Sequence, residues 1–281
     1  VVILDFSFGK IMDIIAPQVK GGEYGRDNYV SNSAEEDLLV FGSSRAEFHY
    51  NTPMLEDSLG ISAYNCGQIG HTVILNYARL IMNLERHTPK RVIYDITPGY
   101  DLLTDIDNYR DLNFLKLHYN RNGVADIVKD IEPCEHFKML SGMYKYNSSF
   151  LQLLIVRFHP VSEPGVKGFR IYSNENDVWL TPPEPDTEWT YDSLKIAYLE
   201  KFIKICNGID LTLVVSPMWQ GFNPDLFKPV EALCEKYKVR FLNFSNHPDF
   251  LHHKELFWDY AHLNGNGAMC FTKLLIKELK R

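Results

Sequence analysis

Ser44, Asp259 and His262 are the residues of this sequence whose types and order best suit chemistry. A serine hydroxyl is a weak nucleophile until a histidine takes its proton, and the histidine in turn needs a carboxylate to orient it. Ser44 stands in Phe41-Gly42-Ser43-Ser44-Arg45, directly after the apolar run Asp37-Leu38-Leu39-Val40-Phe41. A serine in a tight turn after a strand presents its hydroxyl at the carboxyl edge of a sheet. Glycine-serine turns are common, so this block alone says little. The base must come from ten histidines, and Asp-x-x-His occurs twice, at Asp249/His252 and Asp259/His262. The second copy precedes Leu263-Asn264-Gly265-Asn266-Gly267-Ala268 and a final helical pattern, so a loop would hold both side chains beside the sheet edge. The first copy lies in a His- and Phe-rich stretch and reads as a surface or packing coincidence. His247, His252 and His253 lack a metal-ligand spacing, and no metal or organic cofactor is expected. There is no Gly-Lys-Ser/Thr loop and no Gly-x-Gly-x-x-Gly, which disfavours nucleotide binding.

The elements that must position these residues alternate between strand and helix. The run 37–41 reads as a first buried strand and Ser62-Ala63-Tyr64-Asn65-Cys66-Gly67 as a second, weaker one. Val73, Ile74, Tyr77, Ala78, Ile81 and Leu84 fall at helical spacing, giving a helix to about His87, and Arg91–Ile96 forms a third strand. The pattern resumes with Leu194, Tyr198, Leu199, Phe202 and Ile203 on a helix that stops near Gly208. A fourth strand at Leu211–Val215, a helix from about Pro224 to Tyr237, a fifth strand at Val239–Phe244 and a last helix from near Gly267 follow. This alternation predicts one α/β domain over 1–281, with a mostly parallel sheet wrapped by helices. Residues of about 102–188 break the rhythm and read as an insertion on the ligand side of the sheet, with helices near Phe114–Tyr119 and Ser148–Phe158 and a turn-rich Thr181–Pro185. Its Tyr119, Tyr144, Tyr146, Phe169, Tyr172 and Trp179 could line a pocket or simply bury the insertion.

The order Gly42-Ser43-Ser44, then Asn65-x-Gly67-x-x-Gly70, then Asp259-x-x-His262 with Leu263-Asn264-x-x-Gly267 resembles the SGNH hydrolases, the GDSL-like lipases and esterases. The resemblance spans nearly the whole chain except the insertion and an N-terminal extension at about 1–33. It implies a three-layer α/β/α sandwich with a five-stranded parallel sheet, flavodoxin-like in type. It implies Ser44 as nucleophile, Asp259 and His262 as its partners, and backbone N–H groups of Ser44 and Gly70 holding the oxyanion. Ser43 stands where the family usually has aspartate. The family's third block, Gly-x-Asn-Asp, is replaced by Ile96-Thr97-Pro98-Gly99-Tyr100-Asp101, with Gly99 on or near the asparagine position. Loss of one oxyanion donor typically costs about 2.7–4 kcal/mol of transition-state stabilisation. Thr97, Tyr100 and Asn76 are candidates to replace it. A Gly-Ser-Ser block with an altered third block also resembles extracytoplasmic acyl-transfer proteins of cell-envelope polymers, so transfer to a polymer hydroxyl rivals hydrolysis. A non-catalytic carbohydrate-binding module is the alternative from another class.

Weaker candidates surround this set. Arg45 could bind an anionic substrate group or pair with a carboxylate, and His71 could touch substrate or pack at a helix start. Asp95 and Asp101 flank the third-strand turn as caps, and Trp258 and Tyr260 position the loop of the base. Bulk composition narrows the partners. The 281 residues carry a net charge of −7 with no basic block, so no nucleic acid is expected, and the ligand is a small-molecule or carbohydrate ester. Five cysteines without Cys-x-x-Cys spacing do not decide the compartment. Val1-Val2-Ile3-Leu4 is a core-facing strand or helix, or else the tail of a signal or anchor segment absent from this chain. Membrane anchoring and an extracytoplasmic location follow from the second reading, and the oligomeric state stays open.

Overall fold

The computed structural model describes residues 2–162, 165–173 and 188–281. Their contacts gather into two compact units. The larger comprises Glu35–Val73, Thr88–Ile106 and Gly165–Arg281, and the smaller Val1–Ala34, Ile74–His87 and Asp107–Pro164.

The larger unit is built on β1 (Leu38–Gly42), β2 (Ala63–Asn65), β3 (Arg91–Asp95), β4 (Asp210–Val215) and β5 (Arg240–Asn243). The five strands form one sheet in the order β2-β1-β3-β4-β5, and every pairing is parallel. β1 is buried along its whole length, which is why it reads as a continuous apolar run rather than an alternating one. Side chains still alternate between faces. Leu38, Val40, Ile93 and Val214 share a core with Phe271 and Leu275 of the helix Gly265–Leu279. On the opposite face Phe41 and Tyr94 meet Phe202 of the helix Ser193–Ile205, with ring centroids 5.7 and 4.7 Å apart. Helices on both faces complete the expected α/β/α layering.

Local chemistry starts these helices where the sequence suggests. The Asp192 carboxylate accepts from the N–H groups of Leu194 and Lys195 at the start of Ser193–Ile205. Asn264 caps the last helix by accepting from the Gly267 N–H at 3.0 Å. Gly267 is needed there because any side chain would run into the Leu256 carbonyl. Two short helices not expected from the sequence, Ser44–His49 and Thr52–Leu59, follow β1.

The smaller unit is helical. Its elements include Val2–Ile15, Gly22–Asn32, most of Val73–Leu84, Val124–Ile131, Gly142–Tyr146 and Phe150–Phe158. The helix expected near Phe114–Tyr119 is the shorter Leu112–Leu115, continued by a 3-10 turn at Lys116–His118. A buried Asp27 ties three of these segments by facing Arg79 at 3.4 Å and His118 at 2.6 Å. The core-facing reading of the first residues is corrected, since Val2, Ile3 and Leu4 are at least 75% exposed on a helix. The turn-rich Thr181–Pro185 and Trp179 lie outside the described residues.

Candidate active site

The strand order reverses at β1 and β3, and open α/β sheets bind ligands beyond the strand ends at such a point. Ser44 opens the helix Ser44–His49 just past β1, and Thr97 lies just past β3. Gly42 makes the turn possible. Its φ is +141°, and a Cβ there would lie 2.8 Å from both the Ala46 Cβ and the Asp95 carbonyl oxygen.

Ser44 Oγ lies 2.8 Å from His262 Nε2. His262 Nδ1 lies 2.9 and 3.0 Å from the two Asp259 carboxylate oxygens. The same carboxylate accepts the backbone N–H groups of Ala261 at 2.7 Å and His262 at 2.8 Å. That closed turn is the physical content of the Asp-x-x-His spacing. Burial works to raise the Asp259 pKa, but the hydrogen bond and charge of His262 and the two N–H donors outweigh it, leaving the carboxyl below its ordinary value. An ionised Asp259 keeps the proton on Nδ1 and leaves the Nε2 lone pair facing Ser44. The arrangement can take a proton from the serine and store the resulting charge. The other Asp-x-x-His forms no such pair. Asp249 faces His247 at 3.9 Å, and His252 is an exposed residue set edge-on to Trp219.

Aromatic rings wall the pair on one side. Tyr172 stacks on Phe48 with centroids 3.8 Å apart and on Trp258 at 5.2 Å, and sits 5.6 Å from the His262 ring. The Trp258 backbone N–H donates to the His262 carbonyl at 2.8 Å, closing the loop that carries His262. Of the other aromatic residues singled out in the sequence, Phe169 joins the core of the larger unit. Tyr119, Tyr144 and Tyr146 bond His136, Glu135 and Asp13 within the smaller unit. A cleft of about 440 Å³ is lined by Thr97, Gly99, Trp189, Met218, Phe222 and Tyr260, among others.

The remaining expected residues are spread around this centre. Gly70 is buried with φ +81° in the loop after β2. That loop is tied to the Ser44 helix by the Ile69 N–H donating to Glu47 at 3.0 Å. Ser43 donates to Thr97 Oγ1 at 2.9 Å. Gly99 and Tyr100 lie on the short helix Pro98–Asp101. Buried Lys195 fixes this region by donating to the carbonyls of Gly99, Leu103 and Ile106 at 2.5–3.0 Å. Asn76 is buried on Val73–Leu84 within the smaller unit, and His71 is buried just before that helix. Arg45 is only 2% exposed, and its guanidinium donates to the backbone and hydroxyl of Ser216.

That last contact belongs to a buried network invisible in the sequence. Asp95 accepts from Tyr50 at 2.6 Å, from the Ser216 N–H at 2.9 Å and from the Ser216 hydroxyl at 3.1 Å. It therefore links β3 to the end of β4 rather than capping a turn. His49 Nδ1 lies 2.9 Å from Ser216 Oγ, while His49 Nε2 accepts the Leu263 N–H at 2.9 Å. Burial first, then the charges of Arg45 and His262, pushes the His49 pKa well below its usual value. The ring is neutral, with its proton on Nδ1. No spacing rule connects these residues, because each partner comes from a distant segment.

Asp101 does cap, accepting the Thr97 N–H at 2.6 Å and the Tyr94 hydroxyl at 2.7 Å. Burial pushes its pKa from 3.8 up to about 7. Between those values the native state holds a proton that the unfolded chain releases. Its contribution therefore falls as pH rises from about 4 to about 7, by on the order of 4 kcal/mol at most. The unfolding free energy of Asp101→Asn relative to the parent should accordingly climb across that window in denaturant titrations. A difference independent of pH would contradict it.

Among the described residues no group of three or more His, Cys, Asp or Glu side chains could hold a metal ion. No protein-family profile matches the sequence, and no curated protein matches it. Solved structures similar to the chain include a catalytic mutant of Axe2, an acetylxylan esterase from Geobacillus stearothermophilus, at 14% identity and TM-score 0.45, covering 88% of this chain and 95% of that one. A candidate acylhydrolase from Bacteroides fragilis NCTC 9343 is 12% identical with TM-score 0.42, covering 91% and 95%. A candidate platelet activating factor from Streptococcus pneumonia is 13% identical with TM-score 0.43, covering 98% and 94%. With its five-stranded parallel sheet flanked by helices and the sequence blocks that end on Ser44, Gly70 and His262, the chain resembles the SGNH hydrolases.

Proposed function

We propose that this protein is a serine-dependent ester hydrolase of the SGNH type, acting on a small-molecule or carbohydrate ester. The observation that carries the reading is the unbroken line from Ser44 Oγ through His262 to Asp259, with gaps of 2.8 and 2.9 Å, at the carboxyl edge of β1. His262 Nε2 takes the Ser44 proton as Oγ attacks the ester carbonyl, and Asp259 stabilises the imidazolium. Backbone N–H groups of Ser44 and Gly70 hold the oxyanion. Thr97 serves as the third donor in place of the family's asparagine, since accepting from Ser43 leaves its own hydroxyl proton for another acceptor. His262 then protonates the leaving alcohol, and water releases the acyl group from Ser44 by the same relay in reverse. Release to a sugar hydroxyl uses the same residues, and Trp189 in the adjoining cleft offers such an acceptor an aromatic face.

A fluorophosphonate probe tests the reading directly. The expected result is one covalent adduct on the Ser44 peptide, absent in Ser44→Ala. An intact protein that takes no label would favour a non-catalytic binding module and overturn the proposal.

A further inference from the structure

The helix Val2–Ile15 is amphipathic the wrong way round for water. Its two carboxylates turn inward. Asp5 accepts from the Ser141 hydroxyl and the Gly142 and Met143 N–H groups at 2.7–3.1 Å, and Asp13 accepts from Lys145 and Tyr146 at 2.6 and 2.7 Å. Gly9 lets the helix press against Gly142, where a Cβ would lie 2.9 Å from the Gly142 Cα. The outward face is left to Ile3, Leu4, Phe6, Ile11 and Ile14, each 56–80% exposed.

This face continues beyond the one helix. Val2, Leu4 and Phe8 share a groove of about 1040 Å³ with Phe137, Leu140 and Met143. The helix Phe150–Phe158 packs beside it through Phe8 and Phe150, 5.8 Å apart, and turns Leu151, Ile155 and Phe158 outward. Isolated exposed hydrophobics are ordinary, but a continuous sheet of them across neighbouring helices is not.

The charges on the same helices supply the second argument. Glu135 is wholly buried, and Asp5 and Asp13 are engaged as described. Of the cations on these elements, Lys138 is paired with Glu135 at 2.6 Å, which leaves Lys10, exposed beside the Phe6 ring, and Arg157, over the Phe158 ring. Carboxylates inward, with apolar residues and the stems of Lys10 and Arg157 outward, is the pattern of a surface resting in a headgroup layer. Among the described residues no helix is long and apolar enough to cross a membrane.

We propose that this face of the smaller unit binds the surface of an anionic lipid bilayer. The test is flotation of the purified chain with phosphatidylcholine vesicles, with and without 30% phosphatidylglycerol. Co-flotation with the anionic vesicles is expected, reduced at least tenfold by Ile3→Glu, Ile11→Glu and Leu151→Glu together and weakened by 0.5 M salt. These positions are exposed, so circular dichroism and melting temperature should stay at parent values. Failure to float with either vesicle, or flotation indifferent to the triple substitution, would overturn the proposal. So would a dimer in light scattering that the same substitutions dissolve while no protein floats, since the face would then serve a second copy.

Discussion

Ser44→Ala and His262→Ala are each expected to lower kcat for a short-chain aryl ester by roughly 10⁴-fold or more. The size follows from how the relay works. Without Oγ there is no atom to carry the acyl group, and without Nε2 the hydroxyl stays protonated and weak. The two losses should not add, because residues that act as one unit fail together, so the double variant should be no slower than the worse single one. His252→Ala supplies the control, since its ring is exposed and stands edge-on to Trp219. Full turnover by Ser44→Ala in a steady-state assay would sink the serine mechanism. Loss of turnover in His252→Ala with His262→Ala unaffected would show that the base is the other Asp-x-x-His.

The largest effect on stability is expected at Asp95. Truncation to alanine strands three buried donors, the Tyr50 hydroxyl and the N–H and hydroxyl of Ser216. It also removes the carboxylate whose charge favours the buried Arg45 guanidinium. Removing one member of a buried charged set typically costs 3–5 kcal/mol, a large part of the roughly 5–15 kcal/mol that holds a domain folded. Asp95→Ala should therefore melt on the order of 10 °C below the parent. A shift within about 2 °C would mean that Arg45 is matched by its contacts to Ser216 alone.

Sequence reading reached the sheet because β1, β3 and β4 are buried along nearly all their length and so stand out as apolar runs such as Leu38–Phe41. It singled out Asp259 and His262, which lie within hydrogen-bond distance of each other and of Ser44, because a hydrogen-bonded turn imposes the Asp-x-x-His spacing. It missed Gly22–Asn32 for the opposite reason: that helix buries Arg26, Asp27, Asn28 and Ser31, so no apolar stripe marks its inward face. The six-residue helix Ser44–His49 is too short to show a period. Arg45 read as a ligand for an anionic group or the partner of a carboxylate, and only the distant Ser216 explains its burial. His49 and Ser216 left no signal and Asp95 read as a turn cap, since their partners are set by the fold and by no local spacing.

The neutral His49 has one more consequence. Ser44 and His262 are separated by 218 positions in the chain, and errors of placement could accumulate along such a path. Yet Ser44 is the first residue of a single helical turn and a half, and His49 is its last. Because His49 Nε2 holds the N–H next to His262, one short rigid piece acts as a gauge block for both reacting atoms. The gap between Ser44 and His262 is thereby referred to one short helix and a single hydrogen bond, not to the long path of chain between them.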